Sequence, residues 1–277
     1  MSAPSFLNRN RKFVSYSGNL EDVMLNRVFP RANGFFVDIG ANEPVNGSNT
    51  WALYDRGWSG IAVDPLPGVC ARFAVKRPRD ICLSVAVGDV EGETSFFLFE
   101  GGAGHSTIDR KRAEALQREV GQAVTEIKVP VRTLGGILSE HAKGREIDVV
   151  SIDAEGVEAA ILRGARLDVF RPKLIVIEAM AAYVQVDVSQ EATQILEQNG
   201  YVLGYEDGLN KFFVAKEHPA LLDALRYPPN VFDNYVTDAQ LNFQQAARRR
   251  LRQLRIALAA WAISLVATVA LVLLLKG

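Results

Sequence analysis

The chain of 277 residues contains little cysteine and little histidine. Its two cysteines, Cys70 and Cys82, have neither the spacing of metal ligands nor a CxxC redox motif, and only three histidines are present. A zinc-binding module and a dithiol oxidoreductase are therefore excluded. We expect Cys70, in a helix, and Cys82, in a strand, to be buried free thiols in a reducing compartment.

The sequence also lacks internal repeats, low-complexity linkers and, at its N-terminus, the apolar segment of a signal peptide, so a cytoplasmic start is expected. Most of the chain has no excess of basic residues. Six of the 31 basic residues follow residue 247, which leaves 25 basic against 32 acidic residues over 1–247. Such an acidic domain repels phosphate backbones, so nucleic acid is not an expected partner.

The glycine-rich fingerprint of dinucleotide-binding folds is missing as well. Residues 35–42 read FFVDIGAN, an apolar strand followed by a turn, and no further glycine completes a GxGxxG motif. Asp38 and Glu43 would also repel a pyrophosphate. A carboxylate at the end of such a strand suits a polar, partly cationic ligand such as S-adenosylmethionine. We therefore predict that Asp38, Gly40 and Asn42 bind this cosubstrate; the alternative is an ordinary core strand that ends in a solvated turn.

Two further strands are expected to complete the cosubstrate site. The second strand ends in Asp64, 26 residues after Asp38, so the two acids belong to one strand-helix-strand unit. An acid at this position is placed to accept hydrogen bonds from ribose hydroxyls, although a simple turn residue is the alternative. The third strand, over 81–87, brings the small or apolar residues Ala86 and Val87 to the place where adenine is expected to lie.

Strands and helices alternate along most of the chain. The expected elements after the first strand are a helix over 48–54, strands over 57–64 and 81–87, a helix over 134–141, a strand over 147–153, a helix from Val157, a strand over 173–178, a helix over 190–199 and a hairpin of 201–205 with 211–215. This order predicts an α/β fold with one doubly wound, mostly parallel sheet and an antiparallel hairpin at its edge. The irregular insertion over 96–131 is expected to shape a substrate pocket.

The C-terminal region has a different character. Residues 256–275 form an uncharged run of twenty residues, which as a helix would span about 30 Å, the thickness of a bilayer core. Five arginines precede this run, so we expect an inner-membrane helix with the main domain in the cytoplasm and the arginines near lipid headgroups. A buried core helix is the alternative. Ala260, Ser264 and Thr268 recur on one face, which leaves a homodimer open.

Several motifs occur in order along residues 13–236. They are EDVMLNRVF at 21–29, FFVDIGANEP at 35–44, GWSGIAVDPLP at 57–67, AVGDVEG at 86–92, SIDAEGVEAAILRGA at 151–165 and LIVIEAM at 174–180. With these motifs the chain resembles the FkbM-type S-adenosylmethionine-dependent methyltransferases. The resemblance implies a Rossmann-like methyltransferase sheet, S-adenosylmethionine as methyl donor and commonly a sugar hydroxyl as acceptor. Asp64, where the family more often has glutamate, and the membrane helix depart from the family pattern.

Methyl transfer to a hydroxyl requires a group that removes its proton. Asp153 and Glu178 end two strands that we expect to be adjacent, and adjacent strands lie about 4.8 Å apart, so their carboxylates can converge. Glu155 is expected to face the same cleft. These three residues are the predicted catalytic acids, and His105, in the loop over 101–109, is the other candidate base because of its intrinsic pKa.

The same three acids could bind a magnesium ion, which would lower the pKa of a coordinated sugar diol. The sequence does not require a metal; if one binds, its predicted ligands are Asp153, Glu155 and Glu178. The alternative is that Glu155 and Glu158 only stabilise the N-terminus of the following helix.

We predict four segments: an N-terminal helical lead-in over 1–34, a methyltransferase domain over 35–236, a basic helical stalk over 237–255 and a transmembrane helix over 256–275. The expected function is O-methylation of a sugar hydroxyl in a glycolipid or surface-polysaccharide precursor at the cytoplasmic face of the membrane. Two alternatives remain open. They are methylation of a lipid or small secondary metabolite, and a non-catalytic S-adenosylmethionine-binding scaffold that recruits glycosyltransferases.

Overall fold

The structure is a computed structural model that describes residues 12–99, 106–121, 123–180 and 186–275. Within these ranges, the side chains at 112, 116, 119, 120, 265–270 and 272 are not described. The chain divides into two compact units. One is Ser15–Asn234, and the other consists of the segments before and after it.

The described residues form twelve strands and nine helices. In chain order they are β1 (Phe13–Ser15), α1 (Glu21–Val28), β2 (Phe35–Ile39), α2 (Trp51–Asp55), β3 (Ser59–Val63), α3 (Val69–Lys76), β4 (Ile81–Leu83), β5 (Ala86–Gly88), β6 (Gly92–Phe99), α4 (Arg110–Val120), β7 (Val124–Thr133), α5 (Leu134–His141), β8 (Val149–Ile152), α6 (Glu158–Arg163), β9 (Leu174–Glu178), α7 (Gln190–Gln198), β10 (Tyr201–Glu206), β11 (Asn210–Ala215), α8 (Leu222–Leu225), β12 (Tyr235–Thr237) and α9 (Asp238–Leu274). Short 3-10 turns cover Pro219–Leu221 and Val231–Asp233.

The main sheet has seven strands in the order β10-β11-β9-β8-β2-β3-β4. The strands from β4 to β9 in this order are parallel, whereas β11 runs antiparallel to β9 and pairs with β10 as a hairpin. The chain winds outward from β2 in both directions, so a crevice is expected at the carboxyl ends of β2 and β8. The predicted doubly wound sheet with an antiparallel edge is confirmed.

Strand β2 lies at the centre of the core, and all five of its residues are buried. Val37 and Ile39 pack in a cluster with residues of α5 and α6, whereas Phe36 packs in another cluster with residues of α1 and α2. A strand covered on both faces needs apolar residues at nearly every position. This explains the continuous apolar run, and it makes the one acid in the strand, Asp38, conspicuous.

The prediction of one strand over 81–87 is wrong. Strand β4 pairs with β3 at the edge of the main sheet, whereas β5 pairs with β7 in a separate three-stranded sheet of order β5-β7-β6. The insertion therefore has a sheet of its own. Ala86 and Phe96 are buried in this second sheet with Val129 and Val131, and burial of these side chains explains why the chain leaves the edge of the main sheet after Leu83.

The prediction of free thiols is also wrong, because Cys70 and Cys82 form a disulfide bond. Cys70 lies in α3 and Cys82 in β4, as expected, and their Cα atoms are 5.3 Å apart, within the usual range for a disulfide. The two elements are brought together because Val69 and Phe73 of α3 pack with Ala62 and against Cys82. This approach depends on the fold and leaves no signal in the cysteine spacing.

Strands β1 and β12 form a two-stranded sheet, so the predicted helical lead-in contains a strand before α1. The predicted stalk and membrane span form one helix, α9. It starts at a capping box in which the Thr237 hydroxyl accepts from the Gln240 amide. Across the described residues no helix is long and apolar enough to cross a membrane. The transmembrane helix predicted over 256–275 is therefore not found, and part of that range lies outside the described side chains.

Candidate functional site

A cleft opens at the carboxyl ends of β2, β3 and β8, where the topology places it. The predicted cosubstrate residues all line this cleft: Asp38, Gly40, Asn42, Asp64, Ala86 and Val87. Two of the predicted catalytic acids, Asp153 and Glu155, line it as well. His105 lies outside the described residues.

The turn after β2 is shaped by Gly40. Its backbone φ is +78°, and a Cβ atom added there would overlap the backbone carbonyl oxygen of Asp153. Glycine is therefore required for two reasons, the left-handed conformation and the close approach of the β8 end. The Gly40 amide donates to the Val63 carbonyl at 2.9 Å, so this turn joins the ends of three neighbouring strands.

Asn42 and Asp64 meet at the next step of this turn. The backbone amide of Asn42 donates to Asp64 Oδ2 at 2.8 Å, and the backbone amide of Leu66 donates to Asp64 Oδ1 at 2.7 Å. Each carboxylate oxygen retains a further lone pair for a ligand. Burial raises the pKa of the Asp64 carboxyl group, and these two backbone hydrogen bonds oppose the rise. Asn42 Oδ1 is buried and accepts no hydrogen bond from the residues that the structure describes.

Asp38 is held by a buried polar network that the sequence did not reveal. The Thr50 hydroxyl donates to Asp38 Oδ2 at 2.5 Å, and Arg77 Nη2 donates to the same hydroxyl at 3.0 Å. Arg77 is fully buried and is paired with Asp80 at 2.7 Å. Burial raises the pKa of Asp38, while the Arg77 charge and the Thr50 hydroxyl lower it. The Thr50 hydroxyl therefore fixes the orientation of the Asp38 carboxylate, which lines the cleft.

The loop between β2 and α2 supplies lining residues that sequence reasoning missed. Residues 46–49 line the cleft, whereas a helix was predicted from Ser48. The helix begins later, at Trp51, because residues 48–50 form a turn in which the Ser48 hydroxyl accepts from the backbone amides of Thr50 and Trp51, at 3.3 and 3.1 Å. Asn49 Nδ2 donates to Ser151 Oγ of β8 at 3.2 Å. The polar run NGSNT between strand and helix was the available signal for such a loop.

The three predicted catalytic acids converge. One carboxylate oxygen from each of Asp153, Glu155 and Glu178 lies within 4.8 Å of the other two. Asp153 faces the solvent of the cleft, but protein surrounds the cleft on most sides. This burial raises the pKa of Asp153 to about 6. A hydrogen bond with Glu178 lowers the pKa, whereas the negative charges of nearby acids raise it further. Such a carboxyl group can exchange a proton near neutral pH.

The backbone next to this acid cluster is fixed by the neighbouring elements. Glu158 Oε1 accepts from the backbone amides of Ala154 and Gly156, both at 3.1 Å. Glu158 therefore stabilises the turn before α6, which is close to the structural role predicted for it as the alternative to metal binding. The Thr107 hydroxyl donates to the Glu155 carbonyl at 3.0 Å. The insertion is therefore joined to the turn that carries Glu155.

A further acid lies behind the cluster. Glu21 of α1 is buried, and its carboxylate accepts from Asn210 Nδ2 at 2.7 Å and from the Asn19 amide at 2.8 Å. Asn210 stands opposite Glu178 in the β9–β11 ladder. The negative charge of Glu21 contributes to the raised pKa of Asp153. Glu21 was not predicted from the sequence, because it begins a helix 132 positions before Asp153 and does not stand at the end of a strand.

The lining fits S-adenosylmethionine in three respects. Apolar side chains of Val85, Val87 and Phe96 line one part of the cleft, as an adenine ring requires. Asp64 retains acceptor capacity for a ribose diol, and the orphaned Asn42 Oδ1 can accept from a ligand amine or hydroxyl. Phe96, together with Ser106 and Ile108, comes from the insertion, which therefore contributes to the pocket as expected.

The chain was compared with known proteins and with a family model. Solved structures with similarity include a TehB-like SAM-dependent methyltransferase from Corynebacterium glutamicum, at 12% identity, TM-score 0.40 and coverage of 71% of this chain and 87% of that one. Another is the small RNA methyltransferase HEN1, at 13% identity, TM-score 0.36 and coverage of 78% and 28%. No curated protein matches the sequence. Residues 38–203 match the model of the methyltransferase FkbM domain, and the chain therefore belongs to the FkbM methyltransferase family.

Proposed function

We propose that the protein transfers a methyl group from S-adenosylmethionine to a sugar hydroxyl, with Asp153 as the general base. The proposal rests chiefly on one observation, the convergence of Asp153 with Glu178 beside the cleft that Asp38 and Asp64 line. S-adenosylmethionine, when bound, supplies an electrophilic methyl group. The residues that would hold it are Asp38, Asn42 and Asp64.

The task left to the protein is to orient the acceptor and remove its proton. A hydroxyl group keeps its proton at neutral pH, so its attack is assisted when a carboxylate accepts that proton. The pKa of about 6 for Asp153 leaves this group largely ionised at pH 7 but more basic than an ordinary aspartate. Its hydrogen bond with Glu178 fixes the carboxylate in place, and Glu155 extends the polar surface available to a sugar.

A sugar acceptor is favoured by the chemistry of the acid cluster. Neighbouring carboxylates accept hydrogen bonds from adjacent hydroxyl groups, which a carbohydrate presents and a simple aliphatic lipid does not. The family commonly uses sugar hydroxyls, as the motif resemblance implies. We infer a glycolipid or surface-polysaccharide precursor, located at the cytoplasmic face of the membrane, from the arginine-rich and apolar stretches of the C-terminal sequence.

The test is methyl transfer from radiolabelled S-adenosylmethionine to a membrane glycolipid extract, compared between the parent protein and Asp153→Asn. Asp168→Asn serves as the matched control, because Asp168 is an exposed aspartate outside the cleft. Loss of labelling in the first variant alone supports the proposal. Equal labelling by both variants would contradict it, and labelling of glycan-free lipid instead would indicate the alternative acceptor class.

A second role that we propose for Asp153, Glu155 and Glu178 is to bind a magnesium ion. Three carboxylate oxygens within 4.8 Å of one another are a donor set that suits a hard cation. Under this variant of the proposal, EDTA abolishes labelling and added magnesium restores it. Labelling that is unaffected by EDTA would leave the Asp153–Glu178 pair to act without a metal.

A further inference from the structure

The backbone of Glu155 has a conformation that is unusual for a residue with a side chain. Its φ is +59°, in the left-handed region, and the following Gly156 has φ +103°. Glycine adopts positive φ without a steric penalty, whereas a glutamate is strained there. A strained residue persists only where its surroundings over-determine the conformation. The contacts that hold Glu155 in this conformation therefore bear on the position of its carboxylate.

Hydrogen bonds fix the backbone on both sides of Glu155. The backbone amides of Ala154 and Gly156 donate to Glu158 Oε1, both at 3.1 Å, within the same turn. A third bond comes from the insertion, because the Thr107 hydroxyl donates to the carbonyl oxygen of Glu155 at 3.0 Å across 48 positions of the sequence. This bond ties the conformation of Glu155 to the insertion.

Thr107 is itself held in place. Its side chain is buried, and its backbone amide and carbonyl pair with the carbonyl and amide of Phe97 at 3.2 and 2.9 Å. Thr107 Oγ1 also accepts from the backbone amide of Asp109 at 3.0 Å. Since this amide occupies a lone pair of the hydroxyl oxygen, the hydroxyl hydrogen is directed to the Glu155 carbonyl. Thr107 is thus a fixed donor.

The conformation of Glu155 matters for the acid cluster. One of its carboxylate oxygens lies within 4.8 Å of an oxygen of Asp153 and of an oxygen of Glu178. The direction of a Cα–Cβ bond depends on the backbone dihedral angles, so a return of Glu155 to negative φ would change where its carboxylate points. The three carboxylates converge only while the left-handed conformation is kept.

We infer that Thr107 is a positioning residue for the methyl acceptor. Its hydroxyl holds Glu155 in the left-handed conformation and thereby places the Glu155 carboxylate where it accepts hydrogen bonds from a sugar. This inference rests on the proposed function, in which the acid cluster receives the acceptor. It gives the insertion a second role, because Ser106 and Ile108, on either side of Thr107, already line the cleft.

The test compares Thr107→Val and Thr107→Ser in methylation of the membrane glycolipid extract by the full chain. Valine has the shape of threonine without its hydroxyl, and serine keeps the hydroxyl. Thr125→Val is the matched control, because Thr125 is an exposed threonine of β7 in the same sheet. Thr107→Val should raise the apparent KM for the extract about fivefold to tenfold, the effect of one lost hydrogen bond, with kcat within about twofold of the parent value. Thr107→Ser should retain the parent KM.

Two further measurements separate positioning from general destabilisation. The Kd for S-adenosylmethionine, from calorimetry, should stay within about twofold in Thr107→Val. When Thr107→Val is added to Glu155→Ala, the KM should rise no further, because Thr107 acts through the side chain that Glu155→Ala has removed. Additive increases would overturn the inference, as would a KM for Thr107→Val equal to that of Thr125→Val or a Kd that rises as much as the KM. If Thr107→Val does not fold, Thr107→Ala takes its place.

The contact can also be measured without an acceptor. In protein labelled with ¹⁵N-glutamate, the amide signal of Glu155 is identified by its loss in Glu155→Ala. This signal should shift in Thr107→Val and keep its position in Thr125→Val, and an unshifted signal in Thr107→Val would overturn the inference whatever the acceptor is. A parent protein that labels no extract would contradict the proposed function, whereas the shifted signal would still support Thr107 as the residue that positions Glu155.

Discussion

Replacement of Asp153 by asparagine tests the central residue of the proposed function. Asparagine keeps the size of the side chain but cannot accept a proton. A positioned general base contributes about 10²- to 10⁴-fold to a rate, which corresponds to roughly 3–5 kcal/mol of activation free energy. We expect kcat for methyl transfer to the glycolipid extract to fall by this factor in Asp153→Asn.

The affinity of Asp153→Asn for the cosubstrate should not fall together with its kcat. Asp153 is assigned to the acceptor, so the Kd for S-adenosylmethionine, measured by isothermal titration calorimetry, should stay within about twofold of the parent value. A decrease of kcat by less than about threefold would refute the assignment. A large increase in Kd with unchanged kcat would instead place Asp153 in the donor site.

The pH dependence provides a second readout of the same residue. Because burial raises the pKa of Asp153 to about 6, the carboxylate that acts as base disappears as the pH falls below about 6. We expect kcat/KM to rise with pH up to this value and then to level off. The negative charge of Glu21 contributes to the raised pKa, so Glu21→Gln should move the inflection to lower pH. Glu197→Gln, an exposed control on α7, should leave it in place, and an unmoved inflection in Glu21→Gln would contradict the electrostatic explanation.

Three other substitutions test the frame of the site. Gly40→Ala should lower the free energy of unfolding in urea by more than Gly208→Ala does. Both glycines have positive φ, but only the alanine methyl group at position 40 would meet a backbone carbonyl. Equal losses of stability in the two variants would contradict this close approach. Asp64→Asn should raise the Kd for S-adenosylmethionine about tenfold in calorimetry, the effect of losing charged hydrogen bonds. Arg77→Met should cost about 3–5 kcal/mol in the same urea assay, because it leaves Asp80 buried without its partner, and a second change, Asp80→Leu, should recover much of this loss.

The acids of the cleft could be predicted from the sequence because each lies at or directly after the carboxyl end of a strand. Asp38 lies in β2 and Asp64 directly follows β3, while Asp153 follows β8 and Glu178 ends β9. Parallel strands of one sheet end at the same edge, so an apolar run that stops at an acid gives both the element and the position of the side chain. No knowledge of the packing is needed for this step.

The contacts beneath these acids could not be predicted in the same way. Arg77 lies 39 positions after Asp38, in a segment that reads as the polar end of a helix. Its burial depends on the packing of α3 against the loop between β2 and α2, where it donates to Ser48 Oγ and Thr50 Oγ1. The disulfide between Cys70 and Cys82 was missed for the same reason, since it results from the approach of α3 to β4.

The charge of the cleft explains why a cationic cosubstrate fits it better than a nucleotide phosphate. Asp38 and Asp64 are buried close enough that the charge of Asp38 raises the pKa of Asp64, and Asp38 likewise raises that of Asp153. A pyrophosphate would add negative charge to a place where carboxylates already repel one another, whereas a sulfonium group would relieve this repulsion. Methyl transfer would remove the sulfonium charge, but not that of the amino group, and this part of the stabilisation would be lost with it. The same acids that favour binding of the donor therefore favour release of the product.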